Sequence, residues 1–236
     1  MVRKQKPAAP TYTFPTRLLS LHSSAAKHYF KPRPALLLPG QFITIDHFFS
    51  DDLCDELIAS FSVVKLETTP LIKSREYSLR VNDRVSLVDC AAADALWKYF
   101  QYVFLNPEEL LDDDEVAIAK EFSAARSLNP QLRVYRYSAG HFFGKHYDES
   151  VECPIAAVPA QKGRTKWTLL IYLSGDTTLR GGATIFYPEG RGAAPLKVQP
   201  QKGTALLHKH GDDCLQHEGE RVTAGEKWIL RSDVTF

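Results

Sequence analysis

A histidine and an aspartate one residue apart, His146-Tyr147-Asp148, form a pair able to do chemistry. On a strand, residues i and i+2 face the same way, about 7 Å apart along the backbone, so an imidazole and a carboxylate can converge on one ion. A second imidazole from elsewhere would complete two histidines and one carboxylate on one face of a metal. That arrangement leaves three positions open and suits non-haem Fe(II) oxygenases. A lone His-x-Asp is a weak signal, because it recurs by chance in surface segments. His208, His210 and His217 compete for the second imidazole, while His141 reads as a turn or pocket residue.

The elements that must position these groups fall into two halves. Phe42-Ile43-Thr44-Ile45 reads as an entry strand, being β-branched and aromatic. Asp46 or Ser50 then caps a helix whose first turns carry Asp51, Asp52, Asp55 and Glu56, with Leu53, Leu57, Ile58 and Phe61 at helical spacing. A second helix is expected from about Ala91 to Phe104, and a shorter one within the acidic, alanine-rich stretch 106–126. From Leu132 onward the chain reads as short strands: Leu132–Tyr137, Thr168–Leu173, Ala183–Tyr187, Leu196–Val198, Thr204–Leu207 and Lys227–Val234. Gly, Pro and Asp clusters separate them, which argues for a sandwich or barrel.

Around these strands the motifs fall into an order. Tyr137 lies nine residues before His146; Gly181-Gly182-Ala183-Thr184-Ile185-Phe186 follows; His217 precedes Gly225 and stands ten residues before Lys227. In this order and spacing the chain resembles the prolyl-4-hydroxylase-like branch of the Fe(II)/2-oxoglutarate dioxygenases, over roughly Pro34 to Phe236 and most strongly from Leu132. The resemblance implies a mainly β fold, a double-stranded β-helix (a jelly-roll, cupin-like barrel) with N-terminal flanking helices. It implies His146, Asp148 and His217 as iron ligands, His217 being the candidate with Gly225 and Lys227 at the family's offsets. It further implies Fe(II), 2-oxoglutarate as co-substrate, O₂, and ascorbate as reductant, with hydroxylation of a C–H bond and release of succinate and CO₂. Lys227 is the family-offset anchor for the distal carboxylate of 2-oxoglutarate. Arg231 remains its rival, since residues 227, 229 and 231 of one strand share a face and Arg offers a bidentate fork. Tyr137 is expected to add a hydroxyl to that carboxylate.

The polar, strand-like segment Arg75 to Arg84 suggests a substrate mouth, with Asn82 and Arg84 joined by Tyr135 and Trp167; a solvated edge strand would look the same. The stretch Glu149–Lys166 is long for a hairpin connection, and a lid is expected there. Two other functions compete. A catalytically retired β-barrel binding module would have no reason to keep the three ligands and the cation. A Zn²⁺ hydrolase could use the same ligands, but the Lys227 offset and the Gly-Gly turn favour the oxygenase.

The bulk of the sequence excludes other classes. A net charge of +1 gives no electrostatic case for nucleic acid or an anionic membrane. No apolar run approaches the roughly 20 residues that span a bilayer. Cys54, Cys90, Cys153 and Cys214 are widely spaced, with no Cys-x-x-Cys pair, and fit a reducing compartment. An intracellular, cytoplasmic location is therefore expected. Residues 1–33 are rich in Lys, Arg, Ser and Pro and hold no acidic residue. They are expected to form a disordered arm before a dioxygenase domain spanning 34–236, and the same composition is compatible with organelle targeting. The absence of a signal peptide argues against peptidyl proline in the secretory pathway. The partner is an unidentified substrate, either a protein residue, a free amino acid or a small metabolite.

Overall fold

A computed structural model describes residues 12–25, 31–69, 78–105, 112–190 and 192–236. The chain opens with two short helices, α1 (Thr16–Leu19) and α2 (Leu21–Ala25), and a hairpin of β1 (Pro34–Leu38) and β2 (Phe42–Ile45). Next come α3 (Asp51–Ser62), the strands β3 (Glu67–Thr68), β4 (Arg80–Val81) and β5 (Asp83–Val88), then α4 (Cys90–Phe104) and α5 (Asp113–Glu121). The C-terminal half is strand: β6 (Ser127–Leu128), β7 (Gln131–Tyr137), β8 (Phe142–His146), β9 (Glu152–Ile155), β10 (Val158–Tyr172), β11 (Arg180–Gly181) and β12 (Thr184–Tyr187). It finishes with β13 (Leu196–Val198), β14 (Ala205–Lys209), β15 (Gln216–Gly219), β16 (Val222–Ala224) and β17 (Lys227–Thr235).

Each long helix starts where a side chain can take up free N–H groups. The Ser50 hydroxyl accepts from the Leu53 amide ahead of α3, and Asp89 accepts from the Ala91 and Ala92 amides ahead of α4. A cap of this kind contributes about 1 kcal/mol. Asp112 caps α5 in the same way.

Most of the strands form two facing antiparallel sheets, and β11 and β16 pair by themselves. The larger runs β1-β2-β14-β10-β17-β7-β5-β3, and the smaller β13-β12-β15-β8-β4. The chain passes back and forth between them, with β7, β10, β14 and β17 on one side and β8, β12, β13 and β15 on the other. This is the connectivity of a double-stranded β-helix. The central strands are buried on both faces, so period-2 alternation sorts their side chains between two cores. Leu169, Ile171, Trp228 and Leu230 pack outward against the helices, with Leu57, Phe61, Phe100 and Phe104. Leu170, Tyr172, Leu206 and Ile229 point between the sheets, with Phe42 and Phe186. That inner core holds the polar groups of interest.

Two expectations are corrected here. Part of the expected arm 1–33 is packed: Phe14 and Leu18 are fully buried in the outer core, and the Tyr12 hydroxyl bonds Ser60 at 2.7 Å. Residues 1–11 and 26–30 lie outside the described residues. The expected lid Glu149–Lys166 is a hairpin that extends the large sheet. Gly163 pairs with Cys153 and Arg164 with Glu152, and the backbone of Arg164 exchanges two hydrogen bonds with Phe236. A Cβ at Gly163 would meet Thr235 Cγ2 at 2.5 Å, which explains the glycine at that crossing.

Candidate metal centre

Three strands and one loop deliver the site. His146 ends β8, His217 lies directly opposite it on β15, and His208 comes from β14. Asp148 is not on a strand: β8 stops at His146, and the loop beyond returns the carboxylate to the imidazoles. So i, i+2 alternation does not by itself bring the pair together. The loop is held from behind, where the Asp148 amide donates to Cys214 Sγ at 3.2 Å and its carbonyl accepts from the Gly211 amide at 2.9 Å.

His146 Nε2 lies 3.8 Å from Asp148 Oδ1, and His217 Nε2 lies 3.7 Å from Asp148 Oδ2. Two donors that each sit about 2.1 Å from one ion can be at most about 4.2 Å apart, so these atoms can share an ion. Both imidazoles are aimed by the backbone. His146 Nδ1 donates to the Gly144 carbonyl at 2.9 Å and His217 Nδ1 to the Leu215 carbonyl at 3.0 Å, leaving each Nε2 as a free lone pair. Metal-ligating histidines are oriented in this way. Phe143 stacks on the His146 ring at 3.6 Å between centroids, and the Arg80 guanidinium covers the other side of Phe143 at 4.7 Å.

Burial would raise the Asp148 carboxyl, but Arg231 and the surrounding imidazoles hold it well below the usual carboxylate range. Arg231 places Nη1 at 3.2 Å from Oδ1 and Nη2 at 3.1 Å from Oδ2, and it also pairs with Asp233 at 3.1 Å. A second support reaches the carboxylate through hydroxyls. The Thr165 hydroxyl bonds His210 Nε2 at 2.8 Å, His210 Nδ1 bonds Thr168 Oγ1 at 2.9 Å, and Thr168 donates to Asp148 Oδ2 at 3.0 Å. His210 is thus spent on orienting Asp148. Burial, joined by repulsion from His217, pushes the His146 imidazole down to about 4.

Lys227 enters the same cavity from β17. It is 3% exposed, and its ammonium donates to the Gly182 carbonyl at 2.5 Å. Among the described residues it has no carboxylate partner. Burial pushes it down to about 7, and Glu220 only partly opposes this. Gly182, whose carbonyl accepts that bond, has φ +76°, and a Cβ there would meet Val222 Cγ2 at 3.1 Å, so this turn beside the lysine calls for glycine. The Tyr137 and Tyr172 rings flank the ammonium at 5.5 and 5.4 Å.

One cavity is therefore lined by His146, Asp148 and His217 together with Lys227, Arg231, Tyr137 and Tyr135. The remaining sequence candidates lie elsewhere. Trp167 occupies the opposite face of β10, fully buried beside Phe122, with Nε1 donating to Glu121 at 3.3 Å. Its neighbour Thr168 is the residue that faces Asp148, because alternation sends adjacent residues to opposite faces. Asn82 is buried and accepts from the Thr69 hydroxyl at 3.0 Å, outside the cavity. Arg84 is exposed on β5 opposite Tyr135 and lines a separate groove that shares Tyr135 with the cavity. Residues 75–77 of that segment lie outside the described residues. Sequence reasoning missed Thr168, Phe143 and Arg80, which no local spacing marks, and treated His208 as a rival ligand only.

Residues 132–232 match the model of the 2OG-Fe(II) oxygenase superfamily. Among curated proteins the chain is 28% identical to prolyl 4-hydroxylase subunit alpha-3 of Rattus norvegicus, over 52% of this chain and 23% of that protein. It thus spans less than a quarter of the length of that relative. Among solved structures it is similar to the viral collagen prolyl hydroxylase of Paramecium bursaria Chlorella virus-1, with a TM-score of 0.53 at 22% identity, covering 85% of this chain and 99% of that one. A Pseudomonas putida prolyl-4-hydroxylase gives a TM-score of 0.53 at 16% identity, covering 93% and 100%. These likenesses agree with the double-stranded β-helix traced above.

Proposed function

We propose, on the premise that residues 132–232 form a 2OG-Fe(II) oxygenase domain, that this chain is an Fe(II)- and 2-oxoglutarate-dependent dioxygenase hydroxylating a C–H bond. The observation that carries this reading is the buried Lys227 ammonium, which has no carboxylate partner among the described residues, in the cavity lined by His146, Asp148 and His217. A dicarboxylate co-substrate needs such a cation to receive its distal carboxylate.

The donor set fits the metal. Two neutral imidazoles and one ionised carboxylate, all pre-aimed, suit ferrous iron. Iron held by His146, Asp148 and His217 would supply O₂ activation, with 2-oxoglutarate as the two-electron donor that would leave as succinate and CO₂ and ascorbate as the reductant that would keep the iron ferrous. Lys227 would hold the distal carboxylate, with Tyr137 at its side. Arg231 is the weaker candidate because it is committed to Asp148 and Asp233. The formal charges point the same way: Asp148 and Asp233 are matched by Arg231 and Arg133, so a divalent ion and a protonated Lys227 would add positive charge that a dianionic dicarboxylate offsets.

The walls serve the same end. Phe143 and Phe186 flank His146 and His217 and keep water from the donor side. Arg84 and Tyr135, on neighbouring strands, are proposed as the rim over which substrate enters. Prolyl hydroxylation in the named relatives makes a prolyl residue the first substrate to try. An anaerobic titration tests the reading: 2-oxoglutarate added to Fe(II)-loaded protein should produce a visible metal-to-ligand charge-transfer band, absent in His146→Ala. No band in wild type would refute chelation of the co-substrate.

A further inference from the structure

The two facing sheets differ in width, and the difference leaves part of the inner face bare. The large sheet runs on past β7 through β5 to β3, while the small sheet ends at β4. On β5, alternation sends Val85 and Leu87 toward the helices, where they pack on the outer core, and sends Arg84 and Ser86 to the other face. Register sets Arg84 between Glu67 and Tyr135, and Ser86 beside Arg133. Lys65, Glu67, Arg84 and Ser86 are all exposed, so no described residue covers this face. The result is a groove of about 380 Å³ that meets the metal cavity at Tyr135.

The charges along this path are unbalanced. Arg80, from β4, stands at the edge of the cavity, its guanidinium 4.7 Å from the centre of the Phe143 ring that lines it. Arg80 is only half exposed, yet among the described residues it has no hydrogen bond and no ion pair. Burial pushes the guanidinium down, and the charges of Arg84 and Arg231 push it the same way. Arg84 and Lys65 also lack an ion pair among the described residues, although Glu67 stands opposite Arg84 on the ladder. Arg133 is already committed to Asp233 and Gln131. On the outer face of the same strands the pattern differs, since Arg136 is matched by Asp83 at 2.7 Å. The unmatched cations of β4 and β5 therefore lie on the groove side, where an incoming anion relieves their mutual repulsion.

We propose that the groove receives an extended polypeptide segment bearing an acidic side chain, whose carboxylate meets Arg80 and Arg84 as the target residue enters past Tyr135. This rests on the proposed function and deepens it by naming the charge and form of the substrate. A free amino acid could reach Arg80 but would leave the groove beyond Tyr135 empty; an extended chain fills both. The guanidinium forks suit a carboxylate, which they can grip through paired N–H donors. Lys65 and Glu67, toward the β3 edge, offset one another, so the far end of the groove is near neutral. The acidic residue is therefore read close to the target rather than at a distance from it.

The test reads binding without turnover. Protein loaded with Co(II) and 2-oxoglutarate under anaerobic conditions is titrated with a set of end-blocked, fluorescent prolyl peptides that carry Glu beside the proline, and with the same set carrying Gln. At low salt the Glu peptides should bind at least about fivefold tighter by anisotropy, and the gap should shrink as added salt screens it. Arg80→Gln combined with Arg84→Gln should bring the two sets within about twofold, whereas Arg80→Lys combined with Arg84→Lys should keep the preference. A smaller gap in wild type, no binding of either set, or a gap that survives in the Gln variant overturns the proposal. If the double Gln variant does not fold, Arg84→Gln alone, at an exposed position, must narrow the gap by at least about twofold. A chain that binds no 2-oxoglutarate fails the oxygenase reading, and the same titration on Co(II)-loaded protein still reads the preference for Glu. A chain that binds 2-oxoglutarate but does not prefer Glu fails this proposal alone.

Discussion

Lys227 and Arg231 point into the same cavity from one face of β17, and only Arg231 is already paired with carboxylates. The two cations therefore divide the work. Arg231 is a structural counter-ion of Asp148 and Asp233, and on the proposed function Lys227 is the charge that meets an incoming anion. Lys227→Met should lower 2-oxoglutarate affinity by about 100-fold or more, the worth of a desolvated charge pair, while Co(II) affinity stays within about threefold. Equal losses in both titrations would show that Lys227 acts on the metal site instead.

Arg231→Met should behave differently. It takes the counter-charge from Asp148, while Asp233 keeps Arg133 at 3.0 Å, and removing one partner of a buried pair costs about 3–5 kcal/mol. Thermal unfolding monitored by circular dichroism should show a fall of many degrees. A melting temperature within a degree of wild type would mean that the Asp148–Arg231 contact carries no stability.

The position of Lys227 also sets a pH dependence. Its folded value near 7 lies below the ordinary 10.5. Between the two the unfolded chain binds a proton that the folded chain does not. This group therefore raises stability with pH over that window, by up to about 1.4 kcal/mol per unit, and contributes no slope below it. A bound carboxylate restores the proton, so 2-oxoglutarate binding should be flat below about pH 7 and weaken by about tenfold per unit above it. Calorimetric titration across that range checks the shape, and Lys227→Met should flatten it.

Thr168 is the residue through which His210 reaches Asp148. Thr168→Val keeps the shape and removes the hydrogen bond. Metal affinity should fall by about 10- to 100-fold, as for other residues that orient a ligand, with little change in 2-oxoglutarate affinity once the metal is saturating. Trp167→Ala, one residue away but on the outer face, should do the reverse. It should cost about 3–5 kcal/mol of stability and leave turnover intact below the melting temperature.

Much of this site could be read from the sequence because its spacing survives folding. Tyr137, His146, His217 and Lys227 sit on paired strands whose register preserves the linear motif: His217 faces His146, and Lys227 faces Tyr137. What escaped was set by the choice of face or by contacts between distant strands. Trp167 and Thr168 are neighbours on a strand buried on both sides, where hydrophobic alternation is silent, so Trp167 was assigned to the mouth although it packs in the outer core, and Thr168 behind Asp148 was overlooked. His208 looked like a strand-end polar residue because nothing local places β14 beside β15's histidine. The 149–166 stretch read as a loop because its strand residues are polar, yet a two-stranded extension needs only backbone pairing and a Gly163 that lets the C-terminus pass.

The most direct test of the central claim is succinate formed from 2-oxoglutarate by protein purified anaerobically and then given Fe(II), ascorbate and O₂, with and without prolyl peptides, comparing wild type with Asp148→Ala. The account predicts iron-dependent succinate in wild type, even at the slow rate of turnover without a prime substrate, and none in the variant. Succinate that persists in Asp148→Ala, or wild type that binds neither iron nor 2-oxoglutarate, would contradict it.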